Sequence, residues 1–549
     1  MTAFINSFIP DNQNWQDITS EAINAHAQKV TNTEKWINRR FKAKDCADYC
    51  RLKFADQKAQ AIQQTERDMI ESFVLSQRVK MPHSAVGWIP EKLRLESVEW
   101  WSRQLKKRDV REAEHKRMAV GKVKKYCSDE LLKITQDNAL RLNEWLERST
   151  LENEDGETLN LKDVQQKSIG NTRLRRNELM TRIKGMEQYA ALFGHCGRFI
   201  TPTAPSTYHR SKGDKWNGYT PKQVQEYMTT TWAQIRAELA RRKIAIYGVR
   251  VTEPHKDACP HWHLLLWFES AKQAKIGIKV IRDYFLQVDG TENGALINRV
   301  KTITINPFKG GAAGYIAKYV CKNLDGAKID DMTDRDGEVV TDGKDGAKRV
   351  KAWASAWGAR QFQFIGGAPI GLWRELRRIR KSDEVNGGLY LLWSLAENKN
   401  YCGFMIAYQY AKSQGYKPLL KKHTFSDDLK TLAAEFDGIE NVPDAEIMRL
   451  PTLNKYQEPK SRLIGVVMGD DMLVTRTAKK WKLKTAPKDE QGLTTQDALE
   501  AYSVSHAMAG SFSFGDFVGF AASVGAFDGV PKGSPSWTCG NNCTEVIKK

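Results

Sequence analysis

The chain has 549 residues, with 85 Lys and Arg against 66 Asp and Glu, for a formal charge of +19. Its length allows a large core and about three or four domains, and its charge points to a polyanionic partner, of which nucleic acid is the commonest. Nine scattered cysteines, an odd number, argue against a disulfide framework and for a reducing compartment. The opening MTAFINSFIPDNQNWQD lacks the basic-then-apolar order of a secretory signal. The late apolar run FVGFAASVGAF falls short of the about 20 residues that span a bilayer, so the expectation is a soluble, intracellular protein with no membrane partner.

Residues 1–190 read as a largely helical region. No proline lies between Pro90 and Pro202, and Val98, Trp101 and Leu105 fall at the i, i+3, i+7 spacing of an amphipathic helix. The run RQLKKRDVREAEHKR interleaves acids with bases and reads as a solvated helix face. From about residue 195 the texture changes. A short strand, Phe199 to Thr203, ends in a proline turn. A helix then opens with Thr220 as N-cap and Pro221 at its first position, burying Val224, Tyr227, Met228, Ile235 and Leu239. IAIYGVRVTEPHKDACPHWHLLLWF reads as a β-hairpin. A helix (KQAKIGIKVIRDYF), a strand (INRVKTITI) and the helix GGAAGYIAKYVCKN follow. This order predicts an α+β fold, a central antiparallel sheet with flanking helices.

Residues 325–350, rich in Asp, Gly and Lys, read as an exposed insertion. DRDG at 334–337 hints at a calcium loop but lacks the other ligand spacings. Arg374, Arg377 and Arg378 share one helical face, suited equally to phosphate contact and to solvation. The cysteine pairs CADYC (46–50) and CGNNC (539–543) lack the usual zinc spacing and read as free thiols. The expected domains are a helical region over 1–190, a catalytic domain over 191–385 and a mixed C-terminal region over 386–549.

Two constellations carry chemistry. In CPHWHLLLW, His261 and His263 project to one face of a strand, while Trp262, Leu264 and Leu266 point to the other. Leu265 and Trp267 continue the histidine face, so the strand is expected to be central. Buried neighbouring imidazoles are costly unless satisfied, by core hydrogen bonds or by a divalent metal. If the hairpin tip lies near Asp257 and Ala258, Glu253 comes opposite His261 and completes a mixed nitrogen and oxygen site, with His255 as the alternative. Such a site suits Mg²⁺ or Mn²⁺, zinc being the other candidate.

The second constellation is the helix holding Tyr315 and Tyr319, one turn apart, each followed at the third place by a lysine, Lys318 and Lys322. Gly310 and Gly311 precede it and would let the backbone turn tightly and approach a ligand. A phenol of pKa about 10 is a poor nucleophile, and a neighbouring cation or metal would activate it. A tyrosine stripe taken alone more often packs a core. With the upstream His-x-His and the basic charge, a pair of nucleophiles becomes the stronger reading. The lysines would pair with the phosphate or ease phenol ionisation; the competing reading is helix solubility.

FITPTAPSTYH, PHWH and GYIAKYVCKN, in that order, resemble the three motifs of the HUH endonucleases of rolling-circle replication, and most closely the replication gene A proteins of temperate tailed bacteriophages. AWASAWGARQFQFIGGAPIGLWRELRR is also similar to that family's segment after the tyrosines. The resemblance covers about residues 195–380. It implies that His261 and His263, with Glu253 or a neighbour, hold the metal on the scissile phosphate. Tyr315 or Tyr319 would attack that phosphate in single-stranded or extruded origin DNA, giving a 5′-phosphotyrosine and a 3′-OH that primes replication. The second tyrosine would cut the regenerated origin, and the ends would then be rejoined. It implies a bacterial cytoplasm as the setting. With no Walker-type loop visible, unwinding would fall to a host helicase with single-strand-binding protein. Trp262 is larger than the aliphatic residue common at its place in other branches, which bears on metal geometry. A relaxase or transposase of the same chemistry, and a non-catalytic nucleic-acid binder stacking bases on Trp262 and Trp267, are the alternatives.

Overall fold

A computed structural model describes residues 20–54, 64–123, 125–305, 311–324, 343–379, 385, 387–412, 445–468, 471–474, 481–484 and 546–548. The chain divides into two compact units, residues 1–110 with 451–460 and residues 111–450 with 461–549. The tail runs FVGFAASVGAF and CGNNC, the DRDG stretch and Gly310 lie outside the described residues.

In the first unit, helices α1 (Ser20–Phe54), α2 (Gln64–Ser76) and α3 (Trp88–Leu95) pack with the start of α4 (Val98–Ala119). Trp101 and Leu105 are fully buried, as their spacing predicts. Cys46 and Cys50, one turn apart on α1, join this core. Burial pushes the Cys50 thiol up to about 12, so it packs as a small apolar group.

The second unit continues with α5 (Asp129–Arg148), β1 (Thr150–Glu152), β2 (Thr158–Asn160), α6 (Leu161–Gln166) and α7 (Thr172–Leu192). β1 and β2 form a small sheet with Lys482–Lys484. The principal sheet follows, built from β3 (Cys196–Pro202), α8 (Pro221–Arg241), β4 (Ile246–Pro254), β5 (Pro260–Phe268), α9 (Ala271–Phe285), α10 (Ala295–Asn298), β6 (Val300–Thr304), α11 (Gly311–Leu324), α12 (Gly343–Trp357) and β7 (Phe362–Ile365). Helices α13 (Ile370–Leu376), α14 (Gly387–Glu397) and α15 (Tyr401–Lys412) come next, then a four-stranded sheet. The fold is α+β. The five principal strands run in the order β6-β3-β5-β4-β7, every pair antiparallel, with β5 central.

The two faces of this sheet bury separate cores. Trp262, Leu264, Leu266 and Phe268 pack with Ile200 against α8 and α9. Leu265, Trp267, Val249, Val251 and Phe199 pack against α7, α11 and α13–α15. That second core reaches outside the 191–385 span, drawing on α7 before it and α14 and α15 after it. Thr220 caps α8 in a reciprocal capping box with Gln223. The α8 stripe buries Val224, Met228, Ile235 and Leu239 as expected, and also Trp232, while Tyr227 is half-buried.

Two sequence expectations change. The strand placed at Phe199–Thr203 runs from Cys196 to Pro202. The insertion placed at 325–350 gives way to helix α12 from Gly343. Val350, Trp353, Ala354 and Trp357, at i, i+3, i+4 and i+7, are all buried, a stripe that the Asp, Gly and Lys content before it disguises. Among the described residues, no helix is long and apolar enough to cross a membrane.

Candidate active site

The hairpin sets the site. β4 pairs with β5 so that Glu253 faces His261 and Val251 faces His263. The turn between the strands places Ala258 in the left-handed region, φ 71°. Trp353 of α12 donates its indole N–H to the Ala258 carbonyl at 2.9 Å, holding the tip from outside. His261 and His263 share one face, with ring centroids 4.6 Å apart. The bulk of Trp262 goes to the other face, where its indole N–H donates to Gln225 at 3.1 Å. The Arg250 guanidinium lies 4.3 Å over its ring. Burial lowers that guanidinium's pKa to about 10.

The tyrosine helix crosses the histidine face. Ala312, Ile316 and Val320, four residues apart, are fully buried and form its contact stripe. Tyr315 and Tyr319 each precede a stripe residue by one position, so they flank the core and are only half-buried. The packed face and the tyrosine pair are therefore neighbouring stripes of one helix. The Tyr319 ring lies 4.0 Å from His263 and 5.5 Å from Phe199. Tyr315 meets the edge of Phe199 at 4.3 Å and lies 6.1 Å from Tyr319. The imidazole pair and the phenol pair thus come together on one side of the sheet. The side chains of Lys318 and Lys322 lie outside what the structure describes.

Gly311 takes φ +62°, and an added Cβ would collide with the Glu187 carboxylate. That carboxylate, from α7, accepts hydrogen bonds from the backbone N–H groups of Ala312 and Ala313. Gly311 therefore makes room for the protein's own acid, which favours the positive end of the helix, and not for an external ligand. At the other end of α11, Asn323 donates its amide to Glu253 at 3.1 Å and to the Tyr319 carbonyl at 2.7 Å. Gln361 in turn donates to the Asn323 side-chain oxygen at 3.1 Å. Glu253, Asn323 and Gln361 are all at most 3% exposed.

Both candidate third ligands border the histidines. Glu253 Oε1 stands 3.9 Å from His263 Nε2, and the His255 ring stands 4.2 Å from His261. The row of imidazoles continues to His209, 5.0 Å from His255. His209 Nδ1 lies 3.2 Å from Asp257, which also accepts from the Ser211 hydroxyl at 2.9 Å. Burial opposes ionisation of Asp257, but the bonds from His209 and Ser211 outweigh it and hold the carboxyl well below its usual range. Two imidazoles and a carboxylate are donor types that fit Mg²⁺ or Mn²⁺. Their positions do not yet enclose an ion, since neighbouring donors in an octahedron with about 2.1 Å bonds stand about 3 Å apart. Among the described residues, no group of three or more His, Cys, Asp or Glu side chains is placed to hold one.

Arg374 answers neither expectation made for it. It forms a two-pronged bridge to Glu178 of α7, at 2.6 and 2.8 Å, and Arg378 is 2% exposed. Sequence reading did not single out His209, Asn323, Gln361 or Glu187 as site residues. The one local signal was Asn323 itself, a weak helix former placed four residues after a tyrosine.

An antiparallel sheet presenting paired histidines to a helix with paired tyrosines defines the class of site. Residues 30–327, more than half of the chain and the whole of this constellation, match the family described as bacteriophage replication gene A protein (GPA), and the chain belongs to that family. It is 40% identical over 303 residues to the replication gene A protein of Escherichia phage 186, covering 53% of this chain and 43% of that one. It is 36% identical over 393 residues to the probable replication protein P12 of Pseudoalteromonas phage PM2, covering 70% and 58%. It is 34% identical over 299 residues to a probable replication endonuclease from a prophage-like region of Salmonella paratyphi A, covering 52% and 37%. The matched part is thus less than two thirds of the length of each of these relatives. No solved structure matches.

Proposed function

We propose that this protein is a replication-initiating endonuclease that nicks one strand of a phage origin through a tyrosine and later rejoins the ends. The observation that carries the reading is the meeting of Tyr319, Tyr315, His263 and His261 on one side of the sheet, with Tyr319 4.0 Å from His263. The charge of +19 and a relative named as a probable replication endonuclease support it.

In the proposed step, the oxygen of Tyr315 or Tyr319 forms a bond to the scissile phosphorus. The bond from phosphorus to the 3′ oxygen breaks, and that oxygen takes a proton to become the 3′-OH that primes rolling-circle synthesis. The 5′ phosphate stays on the tyrosine. Because one phosphoester replaces another, rejoining needs no nucleotide. Mg²⁺ or Mn²⁺, when bound by His261, His263 and Glu253, would supply charge neutralisation on the phosphate. Phe199 and the α11 stripe seat the phenols, and Asn323 orients the Glu253 carboxylate. Lys318 and Lys322 are proposed to offset the phosphate charge. Unwinding is assigned to a host helicase with single-strand-binding protein.

The test is a denaturing gel of the protein mixed with labelled single-stranded origin DNA and Mg²⁺ or Mn²⁺. A protein band carrying the label, absent in Tyr315→Phe/Tyr319→Phe, is expected. A wild-type protein that binds the DNA but leaves no covalent product would return the reading to a plain nucleic-acid binder.

A further inference from the structure

The segment after β3 carries a feature that the nicking chemistry does not use. Tyr208, Tyr219 and Tyr227 lie in one near-parallel stack. Tyr208 is in the middle, 4.9 Å and 15° from Tyr219, and 5.2 Å and 19° from Tyr227. The inner members are tied to the fold. Tyr227 belongs to α8, and Tyr208 packs on Ala204, Val224 and Cys259. The outer ring, Tyr219, is 38% exposed.

The backbone that carries Tyr219 is fixed in place. Asn217 N–H donates to the Thr207 carbonyl at 2.9 Å, and the Asn217 side chain accepts from Tyr219 N–H at 3.2 Å. Gly218, at φ +79°, makes the turn that folds Tyr219 back over Tyr208. Fixing an exposed aromatic ring costs conformational entropy, and burial of that ring does not repay it.

The stack stands beside the candidate active site. Its segment leaves β3 through Thr203, which bridges His261. His209, next to Tyr208, bonds Asp257 of the hairpin and lies 5.0 Å from His255. Exposed Lys212 and Lys215 lie on the same segment. A rigid, open aromatic face with ammonium groups close by is the arrangement that grips unpaired nucleotides, the ring taking a base and the lysines the phosphates. A base within a duplex has no free face to offer.

We infer that Tyr219, backed by Tyr208 and Tyr227, is a stacking platform for a base of single-stranded DNA next to the nicking site, with Lys212 and Lys215 on the flanking phosphates. The inference rests on the nicking reading only for the direction from which the strand arrives.

The test measures fluorescence anisotropy of a labelled oligodeoxythymidylate titrated with the full chain in EDTA, so that no cleavage intervenes. Tyr219→Ala should weaken binding about five- to a hundredfold, the range for losing one stacked base, and leave the salt dependence unchanged. Tyr219→Trp should restore binding, which also separates stacking from misfolding. Lys212→Ala/Lys215→Ala should lower the slope of log affinity against log salt by about one. Wild-type affinity in Tyr219→Ala, no restoration by tryptophan, or equal affinity for a duplex would overturn the platform. Failure of the nicking reading would look different: intact binding in EDTA and no covalent product in Mn²⁺.

Discussion

The two faces of the principal sheet share the same five strands and yet are filled differently. On the Trp262 face, side chains from β5 and β3 meet the apolar stripes of α8 and α9. Its charged intruder, Arg250, is folded flat over an indole. The opposite face begins the same way, with Leu265 and Trp267, but toward the hairpin it passes into His263, His261 and Glu253. Burying such groups costs about 1–3 kcal/mol each unless they are bonded, and the Asn323 and Gln361 amides were recruited to bond one of them. One face is filled for stability alone, while the other gives up apolar packing at its end for a polar site.

This contrast can be broken most sharply at the tyrosines. Tyr315→Phe/Tyr319→Phe should abolish the covalent DNA adduct with a melting temperature close to wild type, since the rings and their packing remain. Adduct formation by the double variant would detach function from this face.

Next in size is the ion pair behind the histidine face. Arg374→Ala leaves Glu178 buried without its bridge and should cost about 3–5 kcal/mol in denaturant unfolding. Burial opposes ionisation of Glu178, but Arg374 outweighs it and holds the carboxyl below its usual range. A folded pKa below the unfolded value of about 4.3 contributes stability above that pH, and the contribution is lost as pH falls through the folded value. The gap between wild type and Arg374→Ala should therefore narrow below about pH 4; a gap independent of pH would show that packing, not charge, sets the cost.

On the purely apolar face, Leu264→Ala should cost about 2–5 kcal/mol while the folded fraction keeps its nicking rate. A selective loss of nicking would mean the faces are not separable. The smallest stability effect is expected at Asn323. Asn323→Ala should cost about 1–3 kcal/mol and slow nicking about 10- to 100-fold, as for loss of a group that orients a ligand. An unchanged rate would reduce the amide to a structural bond.

Much of this division was legible in the sequence because it rests on local periodicity. Alternation along residues 260–268 assigned each side chain to its face, and the polar tip at Asp257 and Ala258 set Glu253 opposite His261. Thr220 and Pro221 marked the start of α8. What stayed hidden depends on partners distant in the chain. Glu178 and Arg374 are 196 residues apart, and Glu187 reaches its helix across 125. Neither leaves a periodic trace. His209 and Asp257 were both in view, but nothing local said that two separate loops would join them. The α12 stripe was missed because the glycine and charge before it outweighed four well-spaced apolar residues.

The bonds at the two ends of α11 have a mechanical corollary. Glu187 clips its first turn and the Asn323–Glu253 bridge clips its last, so the rod carrying both phenols is riveted at each end and has little freedom to slide. Phenols four residues apart stand about 6 Å apart along the axis. If they take turns, the travelling part is the nucleic acid, which must advance by that step past a stationary enzyme.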